Sequence, residues 1–108
     1  MTEIQLAVEG EEAIPATESF LAIPGISGTW EVSSESPERE AVTATIASIV
    51  GIVGGSVAIA EQIRKWYQEY KQKRKKLDKV ILVGRDGSRL LLENATVEDI
   101  RKVIDAIR

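Results

Sequence analysis

The sequence predicts an α+β domain of two layers, in which a four-stranded sheet is covered by helices in the order β-α-β-α-β-β-α. Three observations support this fold class. Apolar residues alternate at the N-terminus, residues 41–60 carry no charge, and the last third of the chain has the pattern of a hairpin followed by an amphipathic helix. The chain has 108 residues, enough for a modest core. We therefore predict a single domain over residues 1–108.

The first predicted element is a strand. Ile4, Leu6 and Val8 recur at a period of two, which is typical of a half-buried strand, and Gly10 ends it.

A short helix and a second strand are predicted next. Residues 11–23 favour a helix that ends at Pro24-Gly25. The segment GTWEV, residues 28–32, indicates a strand with Trp30 and Val32 on one face. The apolar side of the helix would consist of Ile14, Phe20, Leu21 and Ile23.

An acidic loop and a long helix form the predicted middle of the chain. Residues 33–40 are polar, with Ser36 as a helix N-cap and Pro37 as the first helical residue. No proline follows, so we predict one helix that runs on to about Lys73. The helical region as a whole, residues 41–76, is apolar at first and basic at its end.

Residues 79–108 predict a hairpin and a C-terminal helix. Two apolar runs are joined by Asp86-Gly87, a favoured type I′ turn. Thr96 with Asp99 three residues later resembles a capping box at the start of the helix. The apolar stripe of that helix comprises Val97, Ile100, Val103, Ile104 and Ile107.

On a helix, residues 42–58 would present one bulky face of Val and Ile and one face of small residues. The small face permits close backbone approach and is our candidate interaction site. Three readings stay open: packing inside one subunit, packing against a second copy or another protein, and contact with lipid. The candidate interaction residues are Ala47, Gly51, Gly54, Gly55 and Ala58.

A membrane-inserting or membrane-associated helix over residues 41–60 is the alternative interpretation. Twenty helical residues span about 30 Å, the thickness of a bilayer core. Eight Val and Ile favour insertion, whereas three Gly and several hydroxyl residues oppose it. A span would also leave two strands on each side, too few for stability. We therefore predict a cytoplasmic protein, with membrane association as the alternative.

A basic stretch follows the apolar segment. Its candidate contacts with an anionic partner or lipid are Lys71, Lys73, Arg74, Lys75 and Lys76. They could bind nucleic-acid phosphates or lipid headgroups, or form a solvated helix end that complements the helix dipole. The net charge of −3 argues against a dedicated nucleic-acid binder. The nearby aromatic residues Tyr67 and Tyr70, together with Ile63, continue the apolar side of the helix and are predicted to be core.

The composition limits the chemistry. The chain has no Cys and no His, which excludes thiolate catalysis, Ser-His-Asp catalysis and Cys- or His-based metal sites. The sequence presents no paired carboxylates placed for acid–base catalysis. We predict no catalytic, cofactor-binding or metal-binding residues and no enzyme activity.

The order of these motifs resembles a known family. An acidic N-terminal strand is followed by a short helix that ends at LAIPGI and by a Trp-bearing strand. Next come a Gly/Ala/Val helix, which contains a Gly54-Gly55-Ser56 turn and runs into a basic stretch with Trp and Tyr, and the segment VILVGRDGSRLLLENATVEDIRKVIDAI. This pattern is similar to the effector-associated constant component family of bacterial conflict systems. The resemblance implies a small non-enzymatic module, encoded beside variable effectors and acting as an adaptor. The partners it implies are a second copy of the chain, as a homo-oligomer, or an effector protein.

Overall fold

A computed structural model of the chain describes residues 4–36, 42–73, 77–84 and 87–105. The strands are β1 Ile4–Gly10, β2 Ile26–Ser36, β3 Val42–Ile52, β4 Leu77–Val83 and β5 Arg89–Leu91. The helices are α1 Ala13–Leu21, α2 Ser56–Tyr67 and α3 Val97–Asp105. A π-helical turn, Gln68–Lys73, extends α2, and a 3-10 turn, Leu92–Asn94, precedes α3.

The strands form one antiparallel sheet in the order β2-β3-β1-β4-β5. Along the central strand β1, Ile4, Leu6 and Val8 are buried, whereas the intervening residues are not. The same core contains Phe20 from α1 and Ile63 from α2, so the helices cover this face of the sheet. The predicted α+β class is confirmed, with five strands in the described chain rather than four.

The predicted long helix over residues 41–76 is wrong in its first half, because residues 42–52 are strand β3 and α2 begins only at Ser56. Burial alternates along β3: Thr45, Ala47 and Ile49 are buried and their neighbours are more exposed. β-Branched residues dominate the segment and pack well on a pleated surface. The continuous helix over residues 41–60 on which the membrane interpretation depended is therefore not formed.

The predicted acidic loop over residues 33–40 also differs from the structure. Strand β2 extends from Ile26 to Ser36, well beyond the predicted residues 28–32, because it pairs with β3 along its length. Ser36 therefore belongs to a strand and is not a helix N-cap. The predicted helix start at Pro37 lies outside the described residues.

The hairpin and the last helix are confirmed. In the β4–β5 loop, the Gly84 N–H donates to the Ser88 carbonyl at 2.8 Å, and the Gly87 N–H donates to the Gly84 carbonyl at 3.0 Å. The loop thus closes between Gly84 and Ser88, one residue wider than the predicted two-residue turn. Asp86 of that predicted turn lies outside the described residues.

The predicted capping box at the start of α3 is present. The Thr96 N–H donates to the Asp99 carboxylate and the Asp99 N–H donates to the Thr96 hydroxyl, both at 3.1 Å. Of the predicted apolar stripe, Ile100 and Ile104 are buried and the two valines pack against the core, whereas Ile107 lies outside the described residues.

Aromatic contacts join α1 to α2. The rings of Phe20 and Trp66 meet edge to face with centroids 5.1 Å apart, and the Trp66 indole N–H donates to the Ala16 carbonyl at 2.8 Å. Tyr67 is also buried, as predicted for the apolar side of this helix. On α1, Phe20 is buried as predicted, but Ile14 is exposed.

Candidate protein-interaction surface

The five candidate small residues do not form one helical face, so that part of the site prediction is wrong. Ala47 is buried in β3, and Gly51 faces Ser27 near the end of the same strand. Gly54 and Gly55 form the turn after β3, and Ala58 is exposed on α2. The set is divided because the chain changes from strand to turn to helix within these residues.

Three of the five candidates nevertheless lie at one exposed place, the corner between β3 and α2. Gly54, Gly55 and Ala58 line an apolar groove of about 400 Å³ there. The remaining lining residues are Pro24, Gly25, Val53, Ile59 and Gln62.

Two exposed valines flank this groove. Val53 is 75% exposed, and Val57, which directly precedes Ala58 of the groove, is 51% exposed. Val53 itself forms part of the groove wall. We call the valines together with Gly54, Gly55 and Ala58 the corner surface. A cluster of exposed apolar side chains of this kind is typical of a site that binds another molecule.

The backbone holds the corner surface in place. The Val53 N–H donates to the Gly25 carbonyl at 2.7 Å, so the end of β3 is tied to the loop before β2. Gly25 has φ +96°, and a Cβ atom there would lie 2.4 Å from the Val53 carbonyl oxygen. Only glycine allows this close approach. The groove and the valines are therefore presented by a fixed backbone.

The turn into α2 depends on two glycines with different conformations. Gly54 has φ +117°, a region that L side chains rarely adopt. Gly55 is the N-cap of α2, with φ −73° and ψ 135°, and the Ile59 N–H donates to its carbonyl at 3.0 Å. The sharp turn exposes Val53 and Val57 on its two sides instead of burying them.

The sequence analysis did not identify the exposed valines. The bulky helical face predicted for residues 42–58 includes Val50, Val53 and Val57, whereas all three are exposed in the structure. The signal that could have found them is the Gly54-Gly55 pair, which favours a turn more strongly than a helix interior.

The predicted basic contacts are only partly placed. Lys71 and Lys73 lie in the π-helical turn after α2, but their side chains are outside the described part of the structure. Arg74, Lys75 and Lys76 lie outside the described residues altogether.

Ionisable groups near α2 and α3 make structural contacts. The Arg64 guanidinium donates to the Ala95 carbonyl, which ties α2 to the segment before α3. Burial raises the pKa of the Tyr67 hydroxyl, and the nearby Glu93 carboxylate raises it further. On α3, the hydrogen bond from Arg101 lowers the pKa of Glu98. Within the described residues, no group of three acidic side chains could hold a metal ion.

No family model, curated protein or solved structure matches the chain. Among the described residues, no helix is both long enough and apolar enough to cross a membrane.

Proposed function

We propose that the protein is a non-enzymatic protein-interaction adaptor that self-associates or recruits an effector in a bacterial defence or signalling system. The observation that carries this proposal is the corner surface. It combines protruding valines, an adjacent apolar groove and a backbone fixed by the Val53–Gly25 hydrogen bond.

The exposed valines are suited to supply much of the free energy of binding. Full burial of a Val side chain contributes roughly 1.5–2 kcal/mol, so burying the exposed fractions of Val53 and Val57 contributes about 2–2.5 kcal/mol. Side-chain entropy opposes this only weakly, because Val has a single side-chain torsion. A partner that inserts an apolar side chain into the groove would add to this gain.

Features of the sequence support the same class of function. The chain lacks His and Cys, the residues on which much enzyme chemistry depends. Residues 1–40 carry a net charge of −8 and residues 61–108 a net charge of +5, a polarity that suits oriented docking. The resemblance to the effector-associated constant component family supports an effector as the partner. Our proposed contacts for an anionic group on that partner or on lipid remain Lys71, Lys73, Arg74, Lys75 and Lys76.

The test uses the proteins encoded beside this gene. Each is co-expressed with the tagged chain, and capture is compared between the wild type and the variant Val53→Ser with Val57→Ser. Because both valines are more than half exposed, the variant should fold normally and lose capture. The matched control Val32→Ser changes an exposed valine on β2, opposite Thr45 and far from the corner, and should capture like the wild type.

Circular dichroism and thermal unfolding check that each variant folds. If the wild type captures a neighbouring protein and the double variant captures it equally well, the role of the corner surface is refuted. If the wild type sediments with anionic vesicles and the double variant does not, the valines would instead be assigned to contact with lipid.

A further inference from the structure

The sheet has one long outer edge. Strand β2, Ile26–Ser36, is the outermost strand and pairs with β3 on its inner side. No strand in the described part of the chain pairs with its outer side. The opposite edge is β5, which has only three residues. An outer strand edge presents a row of backbone N–H and C=O groups, and the structure that matches such a row is another strand.

The edge of β2 is irregular only towards its two ends. Its register against β3 shifts between Ser27 and Gly28 and again between Val32 and Ser34. Between these shifts, residues 28–32 pair with β3 without interruption, and we call them the edge segment. Pro and Lys, which commonly protect exposed edges, are absent from β2. Because bulges bend a strand and interrupt regular pairing, the edge segment is the part of β2 best shaped to accept another strand.

The side chains of the edge segment alternate between the two faces of the sheet. Trp30, at its centre, lies opposite the buried Ala47, so it points to the helix side and packs half-buried against the core. Thr29 and Glu31 point to the other face, and both are exposed. The central residue is therefore aromatic, and an exposed polar residue lies on each side of it.

We propose that the edge segment of a second copy pairs antiparallel with that of the first, about a two-fold axis that is perpendicular to the sheet and passes between the two Trp30 residues. The two sheets then form one continuous sheet, with the helices of both copies on the same side. This inference supplies the surface for the self-association in the proposed function and rests on it in that respect.

The regular part of the edge determines this register. An axis at the central residue pairs all of residues 28–32 with the same residues of the second copy. Moving the axis to Thr29 or to Glu31 leaves fewer of these residues paired with one another and carries the pairing across a register shift. An axis at Glu31 would also place two carboxylates directly opposite each other, which is destabilising.

The pairs formed in the proposed register are compatible with one another. Trp30 lies opposite Trp30 of the second copy, and aromatic pairs stabilise neighbouring strands. Thr29 lies opposite Glu31 of the second copy, where its hydroxyl can donate to the carboxylate. The two-fold axis forms the Thr29–Glu31 pair twice. The edge segment therefore pairs with itself along its whole length without placing like charges directly opposite.

The strand order favours a closed and weak dimer. Pairing of β2 with β2 uses the one long edge of each copy and leaves the short β5 at both ends of the combined sheet. Because the same segment is used by both copies, the assembly closes at two chains and does not extend into a filament. An interface of one strand edge is smaller than a standard protein–protein interface, so we expect a dimer that dissociates on dilution.

Disulfide cross-linking tests the register, because the chain contains no cysteine. Directly opposite residues have Cα atoms about 4.5–5.5 Å apart, within the range of a disulfide, whereas diagonal neighbours at about 7–8 Å lie beyond it. An equimolar mixture of Thr29→Cys and Glu31→Cys, oxidised with glutathione disulfide, should therefore form covalent dimers at least about fivefold faster than either variant alone. Both positions are exposed, so both variants should fold.

Charge substitutions at Thr29 give an independent measurement by sedimentation velocity. Thr29→Lys places opposite charges together twice and should lower the dissociation constant about fivefold, whereas Thr29→Glu places like charges together twice and should raise it about fivefold. Gln5→Lys and Gln5→Glu are the matched controls, since Gln5 is exposed on β1, two strands from the edge. They change the net charge equally and should leave the dissociation constant within about twofold of the wild type.

Three results would overturn the inference. The first is a wild type that stays monomeric up to several hundred micromolar. The second is a cysteine mixture that cross-links no faster than its single variants. The third is a change in the same direction, or no change, in the dissociation constants of Thr29→Lys and Thr29→Glu.

The outcome is separable from that of the proposed function. The corner variant Val53→Ser with Val57→Ser should dimerise like the wild type, since neither residue lies in the edge segment. A monomeric wild type that still captures a neighbouring protein would refute the edge dimer and leave the adaptor function standing.

Discussion

Replacing Thr17 by Val should destabilise the protein more than replacing Thr45 by Val, although the two threonines touch each other. Both are completely buried, and their hydroxyl oxygens are 2.6 Å apart at the contact between α1 and β3. The Thr17 hydroxyl donates to the Ala13 carbonyl at 2.6 Å. A hydroxyl has one hydrogen, so Thr45 must be the donor to Thr17.

The direction of these hydrogen bonds determines how much each substitution lowers the free energy of unfolding. Thr17→Val leaves the buried Thr45 hydroxyl without an acceptor, which should cost about 1–3 kcal/mol. Thr45→Val removes one hydrogen bond but leaves Thr17 bound to Ala13, and should cost about 0.5–1.5 kcal/mol. The double variant replaces both hydroxyls by methyl groups of similar shape, so it should be no less stable than Thr17→Val alone.

Urea unfolding monitored by the fluorescence of the buried Trp66 measures the three free energies of unfolding. Thr29→Val, on an exposed position of β2, is the matched control and should change stability by less than about 0.5 kcal/mol. Equal and additive losses in Thr17→Val and Thr45→Val would refute the reasoning, since they would mean that the two hydroxyls are not coupled.

Two further results are expected from substitutions at helix starts. Gly54→Ser should destabilise the protein by about 1–3 kcal/mol, because Gly54 has a positive φ. Gly55→Ser should stabilise it by a few tenths of a kcal/mol, because the serine hydroxyl can form a new N-cap hydrogen bond. Equal melting temperatures for the two variants would contradict this expectation. The backbone hydrogen bond from Thr96 lowers the pKa of Asp99 in the folded protein. The ionised carboxylate therefore stabilises the fold at pH values above the ordinary Asp pKa of about 3.9. This contribution to stability is lost as the pH falls through the lower pKa of the folded state. Thermal unfolding from neutral to strongly acid pH should therefore show wild type and Asp99→Ala converging at the acid end, and a constant difference would count against the capping role.

Elements with local signals were predictable from the sequence. The period of two in β1 depends on neighbours along the chain, as does the capping box of Thr96 and Asp99. The β4–β5 hairpin was also found, although its loop is wider than predicted. In each case the stabilising contacts lie within a few residues of one another.

Strand β3 was not predictable in the same way. Its partners are β1 and β2, so its conformation is decided by long-range pairing. A charge-free run rich in Val, Ile and Ala is compatible with a buried helix and with a buried strand. Periodicity alone cannot distinguish these two structures. The predicted helix ran through Gly54 and Gly55, which lie between β3 and α2 in the structure, and so included the strand. The same error placed Ala47 and Ala58 on one face, although one is in the core and the other on the surface.

The most direct measurement of the central claim is thiol labelling at the corner surface. The chain contains no cysteine, so Val53→Cys introduces a single thiol at a position that is 75% exposed. The free protein should label at the rate of an unhindered thiol, and the complex with its captured effector should label far more slowly. Val32→Cys should label equally in both. Equal labelling of Val53→Cys in the free protein and in the complex would contradict the assignment of this surface to the partner.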